Sequence, residues 1–380
     1  MTHYFKISII VVALIFSVAC TPKDPARTTP KASAAAVTPV KVTEIATNLA
    51  HPWGLAVLPD GSMLVTEREG RLRVIRNGKL VEAPIAGIPA VLNEGQGGLF
   101  DVVLHPDFAS NNLVYLSFAK GSMEANHTAI VRGVYDGTRL SNIQTVFDAV
   151  PNKSSAAHFG GRMMFMPDKS LILTLGDGYA YKDKAQDLSS DLGKVIRILD
   201  TGQPAPGNPF LGQAGKRSEI FSYGHRNVQG LARDPVSGII YAHEHGPKGG
   251  DEINILEAGK NYGWPVITYG VDYSGAPISL KNKEPGMEQP ITYWVPSIAP
   301  SGMAFYSGNM FPAWKGDLIV TALSGQHVRR VDLDKGVVAK QEIYLADRDE
   351  RYRHVVQAPD GALLVLTDSG NGKVLRLTPG

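Results

Sequence analysis

Apolar residues along this chain fall in short runs broken by turns rich in Pro, Asp and Gly, and no helical period persists beyond a few turns. Such a pattern predicts strands. From Val40 onward one unit recurs: a small residue with an apolar pair, a turn carrying Pro-Asp or Asp-Pro, a β-branched or apolar run, then another strand. The first copy is Trp53-Gly54-Leu55-Ala56 with Pro59-Asp60-Gly61 and the run 63–66. Further copies start at Gly98-Leu99-Phe100, Gly161-Arg162-Met163, Gly230-Leu231-Ala232, Gly302-Met303-Ala304 and the run 353–356. Six copies predict an all-β, six-bladed β-propeller, a ring of small sheets around a central channel. A β-sandwich with a second small domain would not predict six similar units. The spacing between copies is longer and less regular than the ~40 to 50 residues of simple repeats, so inserted loops are expected after the second, third and fourth units. Those loops hold the unusual chemistry, on one rim of a rigid scaffold.

Composition agrees with this picture. With 43% apolar and 19% charged residues, 40 glycines and 25 prolines among 380 residues, the chain is globular and rich in turns. A formal charge of +2 leaves no footprint for nucleic acid or an anionic membrane surface. The first twenty residues, with Lys6, an apolar run at 9–16 and small residues ending at Cys20, have the layout of a secretory signal. Ser17-Val18-Ala19-Cys20 resembles a bacterial lipobox, so a lipid anchor at Cys20 is expected, with ordinary signal cleavage as the alternative. As Cys20 is the only cysteine, no intramolecular disulfide and no cysteine-based site can form. The expected organisation is a signal peptide at 1–20, a flexible linker at 21–39 and one propeller domain at 40–380. An exported, periplasmic protein follows, with outer-membrane anchoring if Cys20 is lipidated.

The stretch 224–265 concentrates more polar chemistry than a turn-strand-turn unit needs: Arg226, Asn227, His243, His245, Asp251, Glu252 and Asn261 beside a Gly246-Pro247 turn. It suggests a site for an anionic cofactor and a hard cation. Carboxylate and carbonyl oxygens suit calcium. His243 and His245, two apart on one strand face, could supply half a zinc site, but no further ligands stand at zinc-like spacing. His158 lies in Ala157-His158-Phe159-Gly160-Gly161, where glycines permit close approach of a ligand. Neutral imidazole is suited to take a proton near neutral pH, although a lone histidine is more often structural. Gln96, in the loop Gly95-Gln96-Gly97-Gly98, could bond a planar polar ligand or belong to a plain turn. The loop lacks the Lys-Ser/Thr ending of a phosphate cradle. Arg351 and Arg353 alternate on an extended segment, which puts both guanidinium groups on one face, fit for a carboxylate ligand or for a solvated strand edge. No Gly-x-Ser-x-Gly hydrolase elbow occurs.

Taken in order, Gly95-Gln-Gly-Gly-Leu99 with His105-Pro-Asp-Phe108, His158-x-Gly-Gly-Arg162, Gly224-His-Arg-Asn-x-Gln-Gly230, Glu244-His-Gly-Pro247 with Asp251-Glu-Ile-Asn254, Asn261-Tyr-Gly-Trp-Pro265, Ala299-Pro-Ser-Gly302 and Arg351-Tyr-Arg353 resemble the soluble PQQ-dependent glucose/sorbosone dehydrogenases, closest to the bacterial aldose sugar dehydrogenase branch. The resemblance covers the chain from Val40 to Gly380. It implies a propeller with pyrroloquinoline quinone (PQQ) in a cleft on one rim, an aldose substrate oxidised at C1 to a lactone, and an electron acceptor that it does not identify. It implies His158 as general base and Arg226 as the group stabilising charge on the quinone oxygen. Gln96, Arg226, Asn227, Arg351 and Arg353 are implied as cofactor contacts. The Gly246 and Pro247 carbonyls are implied ligands of a catalytic calcium, and Glu252 with the Tyr262 carbonyl those of a structural calcium. A calcium-dependent propeller lactonase would account for the acidic and histidine residues but leave Gln96, Arg226, Arg351 and Arg353 without a role. A non-catalytic recognition propeller is the third alternative.

Two positions depart from the family pattern. Ala157 stands where relatives carry a polar residue beside the base, which leaves His158 without an evident orienting partner. Ser324 stands where the family places a lysine against the cofactor, so one cation for the tricarboxylate is missing. A charge-assisted hydrogen bond is worth about 1.5–3 kcal/mol. Ser324→Lys is therefore expected to tighten PQQ binding about tenfold or more; unchanged affinity on titration would remove Ser324 from the account.

Overall fold

Around a common axis stand six antiparallel sheets of four strands each. The computed structural model describes residues 38–380 together with Met1, so the rest of the expected signal peptide, Cys20 and most of the linker lie outside the described residues. The innermost strands of blades 1 to 6 are Pro52–Val57, Leu99–Leu104, Met163–Phe165, Val228–Arg233, Pro300–Phe305 and Tyr352–Gln357, which coincide with the six units of the sequence. Successive innermost strands touch, and the sixth returns to the first. Blade 6 takes its outermost strand, Val40–Leu49, from the start of the domain, paired antiparallel with Gly372–Pro379.

The core lies between blades rather than within them. Leu64, Val74, Val102 and Leu116 join blades 1 and 2, Ala46, Leu55 and Leu364 join blades 6 and 1, and Tyr306, Trp314, Val355 and Leu363 join blades 5 and 6. A strand second from the axis is covered on both faces. Met63–Glu67, Leu171–Thr174, Leu318–Ala322 and Leu363–Thr367 are accordingly buried throughout and open on three or four consecutive apolar residues, with a threonine following, instead of alternating. Hydroxyls on these second strands bond across to the next blade: Thr66 Oγ1 donates to Phe100 O at 2.5 Å, Ser117 Oγ to Gly161 O at 2.6 Å, and Thr174 Oγ1 to Val228 O at 2.9 Å.

One side chain reaches every blade. The buried guanidinium of Arg162, beside the innermost strand of blade 3, lies 4.0 Å from the Trp53 ring of blade 1 and donates to Asp101 Oδ1 of blade 2 at 3.0 Å. It also donates to Gln229 O of blade 4 and Ser301 O of blade 5, each at 3.1 Å, and stands 3.5 Å from His354 Nε2 of blade 6. Asp101 is itself buried and accepts the Met163 and Val102 amides. Removing one partner of such a buried pair strands the other, at a cost of about 3–5 kcal/mol. Arg162→Met is expected to lower unfolding free energy by that amount in chemical denaturation, and Asp101→Asn in the Arg162→Met background is expected to recover part of it.

Candidate active site

The segment between blades 2 and 3 carries His158, and its position is set from three directions. Its backbone N–H donates to Gln96 Oε1 at 2.8 Å, so the side chain expected to meet a ligand also holds the histidine's main chain. Its Nδ1 lies 2.7 Å from Oδ1 of Asp177, a fully buried residue just past the strand Leu171–Thr174. Asp177 Oδ1 also accepts the Tyr179 amide, Oδ2 accepts Trp264 Nε1, both at 2.7 Å, and the Asp177 amide donates to Arg226 O at 2.8 Å. A carboxylate only accepts, so Nδ1 carries the proton and Nε2 keeps its lone pair. The two segments approach so closely that a Cβ at Gly176 would lie 2.1 Å from His158 O, which only glycine avoids. The expectation that Ala157 leaves His158 without an orienting partner is therefore corrected: blade 3 supplies Asp177 from nineteen residues away.

Burial lowers the pKa of His158, the Asp177 hydrogen bond opposes that shift, and the charges of Arg226 and Lys153 add to it. Lys153 is buried, its Nζ 3.4 Å over the Phe159 ring and donating to Asn126 Oδ1 at 2.8 Å and Ser155 O at 2.5 Å. Burial pushes its own pKa down to about 7.

Arg226 and Asn227 approach from the entry to blade 4. The Arg226 amide donates to Glu244 Oε2 at 2.6 Å, and its Nη1 to His245 O at 3.1 Å and Gly246 O at 2.7 Å, with the guanidinium 5.4 Å from the Trp264 ring. Asn227 Oδ1 accepts the Gly160 amide at 3.1 Å. His243 and His245 do not form a metal site. His243 is fully buried against Gly230, its pKa pushed down to about 3 by burial, and His245 Nε2 donates to Pro300 O at 2.6 Å.

Arg351 and Arg353 do share a face: both Nη2 atoms reach Asp368 Oδ2, at 3.5 and 3.0 Å. Arg353 is buried, bonds Gln229 Oε1 at 3.0 Å, and has its pKa lowered by burial despite Asp368, with Arg351 and Arg68 adding to the depression. Arg68 Nε is buried without a hydrogen-bond partner. Two guanidinium groups on one carboxylate, with the charge of Arg68 close to Arg353, fit a polyanionic ligand such as PQQ. Ser324 is exposed, its Oγ 3.4 Å from Ser297 O.

Among the described residues no three His, Cys, Asp or Glu side chains converge as metal ligands. What blade 4 offers a cation is oxygen of other kinds. Glu252 pairs across the sheet with Glu244, and burial and that neighbouring carboxylate push its pKa up to about 8. Tyr262 stacks at 4.7 Å on His225, which bonds Glu244 Oε1 at 2.9 Å, so Glu252 and Tyr262 flank one acidic spot. The buried Gly246-Pro247 turn is held by Asp251 Oδ1, which accepts the Gly246 amide at 2.9 Å. A carboxyl crowded by its own kind fits a hard cation, as, separately, do the carbonyl oxygens of such a turn. Sequence reasoning missed Asp177, Lys153, Trp264, Asp368 and Arg68. Asp177 alone had a local signal, an acidic residue between two glycines at the end of an apolar strand.

The profile of the family described as Glucose / Sorbosone dehydrogenase matches residues 49–376, and the chain belongs to that family. It is 43% identical over 351 residues to the aldose sugar dehydrogenase YliI of Escherichia coli, covering 91% of this chain and 94% of that protein. The apo crystal structure of the soluble E. coli aldose sugar dehydrogenase superposes with a TM-score of 0.87 at 42% identity, over 90% of this chain and 100% of that one. The PQQ-bound aldose sugar dehydrogenase of Streptomyces coelicolor gives 0.76 at 33% identity, over 92% and 99%.

Proposed function

We propose that this protein is a PQQ- and calcium-dependent dehydrogenase that oxidises aldoses at C1 to lactones and delivers the electrons to an external acceptor. The observation that carries this is the His158–Asp177 pair, 2.7 Å apart and buried beside Arg226. The PQQ-bound relative adds support for the cofactor, as does the arginine surplus around Arg353. The segment 1–20 supports export to the periplasm, with lipid attachment at Cys20.

In this mechanism His158 Nε2 takes the proton of the sugar's C1 hydroxyl while the C1 hydrogen departs as hydride, and the oxygen's electron pair closes the lactone carbonyl. PQQ held by these residues would supply a two-electron acceptor, and calcium a Lewis acid. Asp177 holds the imidazole in the tautomer that accepts a proton and stabilises the imidazolium that forms. Gln96 and Asn227 fix the backbone on either side of it through the His158 and Gly160 amides. Arg226, anchored by Glu244, holds positive charge where negative charge develops. Arg351 and Arg353 would bind cofactor carboxylates. The Gly246 carbonyl, already accepting from Arg226, has a second lone pair for calcium and would share it with Pro247, while Glu252 and the Tyr262 carbonyl would hold a structural calcium.

Purified protein mixed with PQQ and calcium, each omitted in turn, should reduce a redox dye with a panel of aldoses. Absence of activity at every cofactor concentration would reject the assignment. His158→Ala is expected to lose about 10²- to 10⁴-fold in kcat/KM with PQQ binding nearly intact. Since the base acts when neutral and its pKa lies below the usual 6.5, activity should persist above that lowered value and fall as pH drops through it. An acid-limb midpoint above 6.5 would contradict the environment described for His158.

A further inference from the structure

Tyr179 stands in a left-handed backbone conformation, as His158 does. Its φ of 65° places a bulky side chain in the left-handed region, where glycine is at ease and tyrosine is strained. It follows Gly178 in Gly176-Asp177-Gly178-Tyr179, so a local main chain already specialised for such angles carries one aromatic residue. Tyr179 buries little, being 52% exposed. Two contacts fix it. Its amide donates to Asp177 Oδ1 at 2.7 Å, the same oxygen that binds His158 Nδ1, and its ring stands edge-on to the His158 imidazole with centroids 5.2 Å apart and planes at 83°. A strained backbone, an exposed aromatic face and direct attachment to the base and its partner occur together here, and strain of this kind persists where a site uses it.

We propose that Tyr179 is a substrate-binding residue whose exposed face packs against the apolar C–H face of a cyclic aldose and steers C1 toward His158. It rests on the aldose dehydrogenase assignment and adds the ring form of the sugar as the recognised feature. An aromatic face gains contact with a puckered sugar ring through area and polarisable π density, and an open-chain triose offers no such face.

Steady-state kinetics of the holoenzyme with a hexopyranose and with glyceraldehyde, which as its hydrate offers a C1 hydroxyl and is oxidised to the acid instead of a lactone, test this. Tyr179→Gly relieves the backbone strain, so its melting midpoint should equal or exceed that of the natural chain, which separates binding from folding. Its KM for the hexopyranose is expected to rise about tenfold with kcat within about threefold, while the KM for glyceraldehyde stays put. Tyr179→Phe keeps the ring and should restore the hexopyranose KM. An unchanged hexopyranose KM in Tyr179→Gly, an equal rise for both substrates, or a fall in kcat alone would each overturn the proposal while leaving the dehydrogenase assignment standing. Failure of the natural chain to oxidise any aldose would instead remove that assignment.

Discussion

Arg162 is the side chain on which the ring depends, because its guanidinium is in contact with a group from each of the other five blades and its backbone belongs to the remaining one. A propeller packs each sheet only on its two neighbours, so nothing in the hydrophobic clusters fixes blade 1 relative to blade 4. A planar cation with donors pointing several ways can do so. It stays charged at depth because Asp101 lies 3.0 Å away and the carbonyls of Gln229 and Ser301 each accept a further N–H. The motif that holds this arginine also holds His158 four residues earlier, so the scaffold's axis and the candidate base are placed by one short segment.

Closure of the ring is the second constraint. The strand Val40–Leu49 pairs with Gly372–Pro379, and Ala46 and Leu49 pack against Leu364 and Val374. Without that pairing the sixth blade would end in an open edge and the seam between blades 6 and 1 would expose apolar surface. The hydroxyl bonds from Thr66, Ser117 and Thr174 work in the same direction, satisfying carbonyls of the next blade that burial would otherwise leave costly. In blade 4 the corresponding place opposite Gly230 belongs to His243, whose two buried ring nitrogens have no hydrogen-bond partner among the described residues.

At the rim the same economy of contacts serves chemistry. Asp177 receives His158, Tyr179 and Trp264 on its two oxygens, and Arg226 contacts its main chain, so one buried carboxylate organises residues from blades 3 and 4. The Arg226 amide and the Arg353 guanidinium have carboxylate partners in Glu244 and Asp368, whereas Arg68 Nε has none among the described residues. Burying an unpaired donor is unfavourable until an acceptor reaches it.

Much of this was legible in the residues themselves. Six blades could be counted because strands covered on both faces carry consecutive apolar residues and because Pro-Asp and Asp-Gly turns separate them. Gln96, His158, Arg226, Asn227, Arg351 and Arg353 stood out as motifs, since each lies in a short run of glycines or alternating charges. What the chain order could not convey was contact between distant positions. Asp177 meets Trp264 across eighty-seven residues, Arg353 meets Gln229 across one hundred and twenty-four, and Arg162 reaches Ser301 across one hundred and thirty-nine. Local pattern determines which residues make a strand or a turn, because that depends on dihedral preference and on which faces are covered. Which side chain orients His158, and which arginine becomes the axle, was decided only when the blades stacked, because those partners are neighbours in space alone.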